Sequence, residues 1–322
     1  MKPTRVLLLI NRLSENPTPD ELDVLDEAQA VEDSLDELNI PHERFFIDLD
    51  LDTLVRRLEP DPGRIVFNLV ESLNGNGGLV YFIPALLESL NIPFTGNPSD
   101  ALFLTTQKPL AKSIMSHHGI QTPGWFDAKD AFKPDLQKTY IVKPSREDAS
   151  VGITDQNVFS GSDPRVLDGF RARWGDHFFI EEYIAGREFN LSMVGGPAGP
   201  EVLWPAEIRF HDYPTGKPQI IGYEAKWDEG TFEYQNTRRT FDFPESDGTL
   251  LKELESICLH CWKVFHLRGY ARVDFRVNSD NQPFVLEINA NPCISPDSGF
   301  YHAALKSGYN FTRVIERILA DL

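Results

Sequence analysis

The 322-residue chain has few cysteines, no long apolar run and a shortage of positive charge. Its three cysteines, Cys258, Cys261 and Cys293, give no disulfide framework, which points to a reducing, cytoplasmic setting. No apolar run approaches the ~20 residues that span a membrane. The opening residues lead only into Val6-Leu7-Leu8-Leu9-Ile10. That run is too short for a signal-peptide core and reads as a buried first strand. There are 31 Lys and Arg against 49 Asp and Glu, a net charge of −18. This balance argues against DNA, RNA or an acidic membrane surface as partner, because like charges repel. A small anion is compatible with it, since a local cluster of cations reverses the field inside a pocket. Low-complexity tracts and solenoid-period repeats are both absent.

What is present is alternation. Residues 5–10, 44–47, 64–69 and 93–95 read as strands, and 20–38, 51–58 and 79–90 as amphipathic helices. Such alternation implies a parallel sheet covered by helices, hence an α/β class. Within 19–37 stand nine acids and no Lys or Arg, with Leu22, Leu25, Ala28, Val31, Leu35 and Leu38 at helical spacing. A solvated helix face explains those acids better than a cation-binding face. Gly96-Asn97-Pro98 ends the pattern and sets a first boundary at residue 98. Residues 99–189 read as a small α+β unit, with helices from Ser99 and over 108–118, strands at 140–143 and 177–183, and a helix near 164–174. Residues 190–322 form the third part. It has strands at 189–194 and 202–208, a polar stretch over 223–240 that reads as a mobile active-site loop, a helix over 250–265, and two closing helices near 302–306 and 311–319.

The sharpest chemistry lies in a predicted hairpin, 271–277 and 283–288, turning at Asn278-Ser279-Asp280-Asn281. Arg272 and Asp274 are two apart on one strand, and Glu287 and Asn289 on the other. Residues at i and i+2 share a sheet face, so Asp274, Glu287 and Asn289 converge as oxygen ligands suited to Mg²⁺. The apolar residues between them argue against a merely exposed polar face. A second element runs Ile141-Val142-Lys143-Pro144-Ser145-Arg146-Glu147-Asp148-Ala149-Ser150-Val151-Gly152. A strand delivers Lys143, and a small-residue loop offers N–H groups that can cradle phosphate. Alone it is weak, lacking Walker spacing. In a third element, Glu181 and Glu188 bracket a turn at Gly186, placed to meet an adenine amine and ribose hydroxyls or merely to cap a solvated hairpin. Cys258-Leu259-His260-Cys261 has zinc-like spacing but no second cysteine pair, so a core helix is the expectation.

Together these elements resemble the ATP-grasp superfamily, and within it the D-alanine–D-alanine ligase family. Val66-Phe67-Asn68, Pro84-Ala85-Leu86-Leu87-Glu88 and Pro93-Phe94-Thr95-Gly96 look like the family's N-terminal domain. Tyr223-Glu224-Ala225-Lys226 matches its mobile loop, and Arg272-Val273-Asp274 with Leu286-Glu287-Ile288-Asn289 its metal motif. The resemblance implies a Rossmann-like domain over 1–98 and two α+β subdomains, 99–189 and 190–322, clasping ATP. It implies Lys108, Lys143, Glu181, Ile184, Glu188 and Lys226 as ATP-binding residues. Asp274, Glu287 and Asn289 would hold two Mg²⁺ ions, with Mn²⁺ as an alternative. Arg272, Lys226, Ser150 and the backbone N–H of Cys293 would serve catalysis. The implied reaction is a ligation in two steps: a carboxylate takes the γ-phosphate of ATP to give an acyl phosphate, and an amine then displaces phosphate. The family's common state is a homodimer.

The departures cluster on the side of the acyl donor. The family's Gly-Gly after the first strand is missing, and the region reads Asn11-Arg12-Leu13-Ser14-Glu15-Asn16-Pro17. Glu71-Ser72 replaces a His-Gly, Ala149 the first loop serine, Trp227 a tyrosine, and Cys293 the oxyanion glycine. On the acceptor side Arg272 is kept, and Ser298 matches the serine that binds the acceptor's carboxylate. The expected function is therefore a carboxylate–amine ligase with an α-amino acid as acceptor and a donor other than D-alanine, bound near Glu71, Ala149 and Trp227. The competing readings are a true D-alanine–D-alanine ligase, a kinase, and a non-catalytic nucleotide-binding module.

Overall fold

The computed structural model of the protein describes residues 5–58, 63–130 and 132–322; residues 1–4, ahead of the first strand, lie outside it. Arg5–Asn11 (β1) is the centre of a parallel sheet. Its run of five aliphatic residues is buried, as a strand covered on both faces requires. Pro19–Glu37 (α1) follows, with Glu21 reaching back to the Thr18 N–H at 2.9 Å. His42–Ile47 (β2), Leu51–Arg57 (α2), Arg64–Asn68 (β3) and Phe82–Ser89 (α3) complete the unit, with strand order β2-β1-β3. The helix expected from residue 79 starts only at Phe82, after a tight turn at Gly77–Leu79. The strand expected at 93–95 is a single parallel bridge from Phe94 to Val66.

Two helices, Ser99–Thr106 (α4) and Lys108–His117 (α5), lead into a four-stranded antiparallel sheet. Its strands are Trp125–Asp127 (β4), Thr139–Pro144 (β5), Val158–Ser160 (β6) and Phe178–Glu182 (β7), in order β4-β7-β5-β6. Val166–Trp174 (α6) packs on it. The larger sheet runs β11-β10-β8-β12-β13 with β9 on β8. These strands are Arg187–Val194 (β8), Glu201–Val202 (β9), Ala206–Phe210 (β10), Thr237–Thr240 (β11), Tyr270–Val277 (β12) and Pro283–Asn289 (β13). The single strand expected over 202–208 is split around Pro205, which has no N–H to donate to a ladder. The stretch expected as a loop over 223–240 is ordered as two short helices, Tyr223–Trp227 (α7) and Phe232–Asn236 (α8), and the edge strand β11.

Gly248–Val264 (α9), Gly299–Lys306 (α10) and Phe311–Ala320 (α11) finish the chain. Helices α4, α5 and α9 share one core with β8 and β12, through Leu102, Met115, Leu254, Leu191 and Phe275. The 99–189 segment is thus divided between two cores, its opening helices lying on the large sheet. Helices α10 and α11 pack with α1 and β1 around Val31, Phe300 and Val314, tying the chain's two ends together. Cys258 and Cys261 are buried in the α9 core while His260 faces outward, so the three do not converge.

Candidate active site

The hairpin register places Asp274 directly opposite Glu287, and Arg272 opposite Asn289. All four line one cleft between the two antiparallel sheets, with a volume of about 260 Å³. Strand β8 extends this polar face, because Asn190 lies opposite Asp274 and Glu188 opposite Arg276. Asn190 Nδ2 donates to Asp274 Oδ1 at 2.8 Å, and Arg276 pairs with Glu188 at 2.6 Å. Arg272 grips Asp274 through two bonds of 2.7 and 2.8 Å. Asn289 Oδ1 accepts the Asn291 N–H at 2.9 Å, which fixes its amide.

Lysines surround Glu287. Lys108, on the first turn of α5, stands 3.4 Å from Glu287 and 2.6 Å from Asp148. Burial opposes its charge, but Asp148 and Glu287 outweigh that and raise its pKa. Burial likewise pushes Glu287 up, yet Lys108, Lys143, Arg272 and Lys226 together hold its carboxyl down at about 2. Two carboxylates and a carboxamide, kept as acceptors on one face, are a hard-oxygen set that fits Mg²⁺. The bound ion would neutralise phosphate oxygens there.

Lys143, on β5, pairs with Glu181 at 2.5 Å. The other oxygen of Glu181 meets Lys112 at 2.7 Å, and both side chains of that second pair are 1% exposed. Glu181 is therefore clamped between two ammonium groups. Burial raises its pKa, and Lys112 and Lys143 outweigh burial and lower it. Lys112, which sequence reasoning missed, also donates to Thr122 and to the Leu286 carbonyl, joining α5 to the β12–β13 hairpin. Its one signal was the position four residues after Lys108, on the same helix face. Arg276 and Asn190 were missed too, although they continue the alternation of Asp274 and Glu188.

The loop after β5 takes a left-handed backbone at Ala149 (φ 53°), Ser150 (φ 63°) and Gly152 (φ 75°). Consecutive residues of this kind expose backbone N–H groups, as phosphate cradles do. Two contacts hold this loop in place: Ser150 Oγ donates to the Ile221 carbonyl at 2.8 Å, just before the 223–240 segment, and Trp227 Nε1, within it, to the Ala149 carbonyl at 3.0 Å. Ile141, Ile153, Ile184, Ile208, Ile220 and Leu286 also line the cleft, an apolar lining that suits a flat base. Gly186 (φ 143°) is required beside it, because a Cβ there would lie 2.0 Å from the Val277 carbonyl oxygen.

The cleft opens into a second cavity of about 820 Å³, and Lys226, Arg239, Arg272, Ala149 and Asn289 line both. Glu71, Trp227, Cys293 and Ser298 line the second. Ser298 caps α10, its Oγ accepting the Tyr301 N–H at 3.1 Å. Loss of solvent, then Arg272, lowers the pKa of Lys226. The acids of α1 do not all lie on a solvated face. Asp23 lines the cavity, and Glu27 is 2% exposed and accepts the Ile294 N–H at 2.8 Å, whereas Leu22, expected inside, is 43% exposed. The helix is rotated so that these acids face the loop carrying Cys293, whose Sγ donates to Asp23 at 2.9 Å. Burial, then the charge of Asp23, raises Glu71 to about 8.

A family model described as D-ala D-ala ligase C-terminus matches residues 114–320. The chain is 30% identical over 295 residues to the D-alanine–D-alanine ligase of Aquifex aeolicus, covering 90% of this chain and 92% of that protein. This chain belongs to the D-alanine–D-alanine ligase family. As a member it is an ATP-dependent enzyme that forms a C–N bond. Its ATP-grasp fold is that of the D-alanine–D-alanine ligase of Bacillus anthracis complexed with ATP (TM-score 0.74, 20% identity, 98% of this chain and 96% of that one). It is also 30% identical over 276 residues to y4sG, an uncharacterised protein of Sinorhizobium fredii, covering 84% of this chain and 79% of that protein. Among the described residues no helix is long and apolar enough to cross a membrane.

Proposed function

We propose that this ligase joins an acyl donor other than D-alanine to an α-amino acid. The observation that carries the reading is the meeting of the two cavities. Lys226, Arg272 and Asn289 line both, so the phosphate end of a nucleotide and a substrate carboxylate share one wall. Lys108, Lys143 and Lys226 neutralise the phosphates, while Glu181 fixes Lys143 and Glu188 faces the ribose end beside Ile184. Asp274, Glu287 and Asn289 would hold Mg²⁺, two ions in all, which would supply charge neutralisation when bound. Ser150 holds the phosphate loop closed. Arg272 and the N–H of Cys293 face the oxyanion that develops when the amine attacks, and Ser298 takes the acceptor's carboxylate.

The donor end supports a change of donor. Glu71, Ala149 and Trp227 differ from the family pattern, and the Trp227 indole N–H donates to the backbone carbonyl of residue 149 at that end. Asp23 and the half-buried Glu71 add two carboxyl groups to that end, and burial and the charge of neighbouring carboxylates favour the protonated form of each. The test is ADP release from ATP and Mg²⁺ with a matrix of carboxylic acids and amino acids, the products being identified by mass. A two-substrate requirement with little turnover of D-alanine alone is expected. Rapid formation of D-alanyl-D-alanine as the main product would overturn the donor reading.

A further inference from the structure

Most cations of the two cavities have an assigned partner or role. Lys108 pairs with Asp148 and Glu287, Lys143 and Lys112 with Glu181, Arg272 with Asp274, and Arg276 with Glu188. Lys226 belongs to the phosphate end. Arg239, on the edge strand β11, has no carboxylate pair among the described residues, yet it lines both cavities. Its Nη1 donates to the Asp297 carbonyl at 3.2 Å. Its guanidinium also lies on Gly299, where an added Cβ would stand 3.4 Å from Nε and 3.5 Å from Nη2. Arg239 therefore touches the residue before Ser298 and the residue after it. Those contacts put its charge at the N-terminus of the eight-residue helix α10, which Ser298 caps.

We propose that Arg239 is a specificity-determining residue that binds the acceptor's α-carboxylate together with Ser298. This rests on the ligase reading above. The charge pattern supports it. The Asp297 carboxylate accepts the Ser295 hydroxyl at 2.7 Å and acts on Arg239 only through its charge, and the Asp274 carboxylate is held by Arg272, so neither forms an ion pair with Arg239. Desolvation, then the charge of Arg272, lowers the pKa of Arg239, the mark of a cation short of an anion. A planar guanidinium offers two parallel N–H bonds to a carboxylate, and Ser298 Oγ–H offers a third. An amine without a carboxylate forgoes these charge-assisted bonds and is a poorer acceptor.

The test is steady-state kinetics of wild type, Arg239→Ala and Arg239→Lys, with the acceptor found in the product screen and with its carboxamide derivative. Arg239→Ala is expected to raise the acceptor's KM by roughly ten- to a hundredfold, with KM for ATP and for the donor within about twofold of wild type. Arg239→Lys should recover part of the loss. The carboxamide should be a poor acceptor for wild type and equally poor for Arg239→Ala. An effect confined to KM for ATP would make Arg239 a phosphate ligand and overturn the proposal. So would an unchanged acceptor KM, or a loss seen only with acceptors carrying a side-chain carboxylate. Unchanged KM for ATP also shows that the variant is folded. If wild type releases no ADP in response to any amine, the ligase reading itself has failed, a result distinct from all of these.

Discussion

Replacing Lys112 by Met tests the buried electrostatics that support the site. The substitution keeps an unbranched apolar stem and drops the ammonium group. It removes an ion pair of 2.7 Å to Glu181 and hydrogen bonds of 2.8 Å to Thr122 and 3.1 Å to the Leu286 carbonyl. Breaking one partner of a buried pair costs about 3–5 kcal/mol, because the other charge stays buried. Lys143 remains as a partner for Glu181, which places the expected loss at the low end, about 3 kcal/mol. Urea unfolding followed by tryptophan fluorescence reads this as a lower midpoint with an unchanged slope. Adding Glu181→Gln should not rescue the loss, since it leaves Lys143 without its carboxylate. A loss under about 1 kcal/mol for Lys112→Met, or a double variant more stable than the single one, would refute the reasoning.

Glu71→Gln carries a pH signature. A folded pKa of about 8 against an ordinary 4.5 means that the native state keeps a proton the unfolded chain loses, so stability falls as pH rises through that window. The variant should match wild type near pH 4 and gain on the order of 2 kcal/mol over it by pH 8, after discounting for the solvent that reaches a half-buried carboxyl; a pH-independent difference in urea midpoint would contradict this. Glu287→Ala should abolish Mg²⁺-dependent ADP release while leaving the fold intact by circular dichroism; unchanged turnover would remove Glu287 from the metal set. Gly186→Ala forces a Cβ to 2.0 Å from a carbonyl oxygen and should leave little soluble protein, an outcome that expression and a thermal melt check.

What could be read in the sequence followed simple periods. The period of two that joins Arg272 to Asp274 and Glu287 to Asn289 needed only a hairpin to converge, and the observed register pairs them directly. The strand and helix order of the first hundred residues was legible for the same reason. Lys112 and Glu27 were not. Each is a charged residue on an amphipathic helix, where a solvated face is the ordinary outcome, and only the neighbouring element decides otherwise. Helix α1 shows how tertiary packing overrides local pattern: Leu22 matched the apolar spacing yet points outward, because the acids on the other flank meet the Cys293 loop. Residues 223–240 looked like a loop because their polarity masks short helices held by contacts with the phosphate loop. Arg239 carried no local signal, since its meaning comes from Gly299, sixty residues further on.

The central claim is that one active site makes a C–N bond between an amino acid and a donor other than D-alanine. Its most direct test is mass identification of the product from purified protein, ATP, Mg²⁺ and a mixed pool of carboxylic acids and amino acids, with ADP counted in parallel. The prediction is one ADP per molecule of a mixed condensation product whose acceptor half has a free carboxylate. D-Alanyl-D-alanine as the dominant product, or ADP formed without any condensation product, would contradict it.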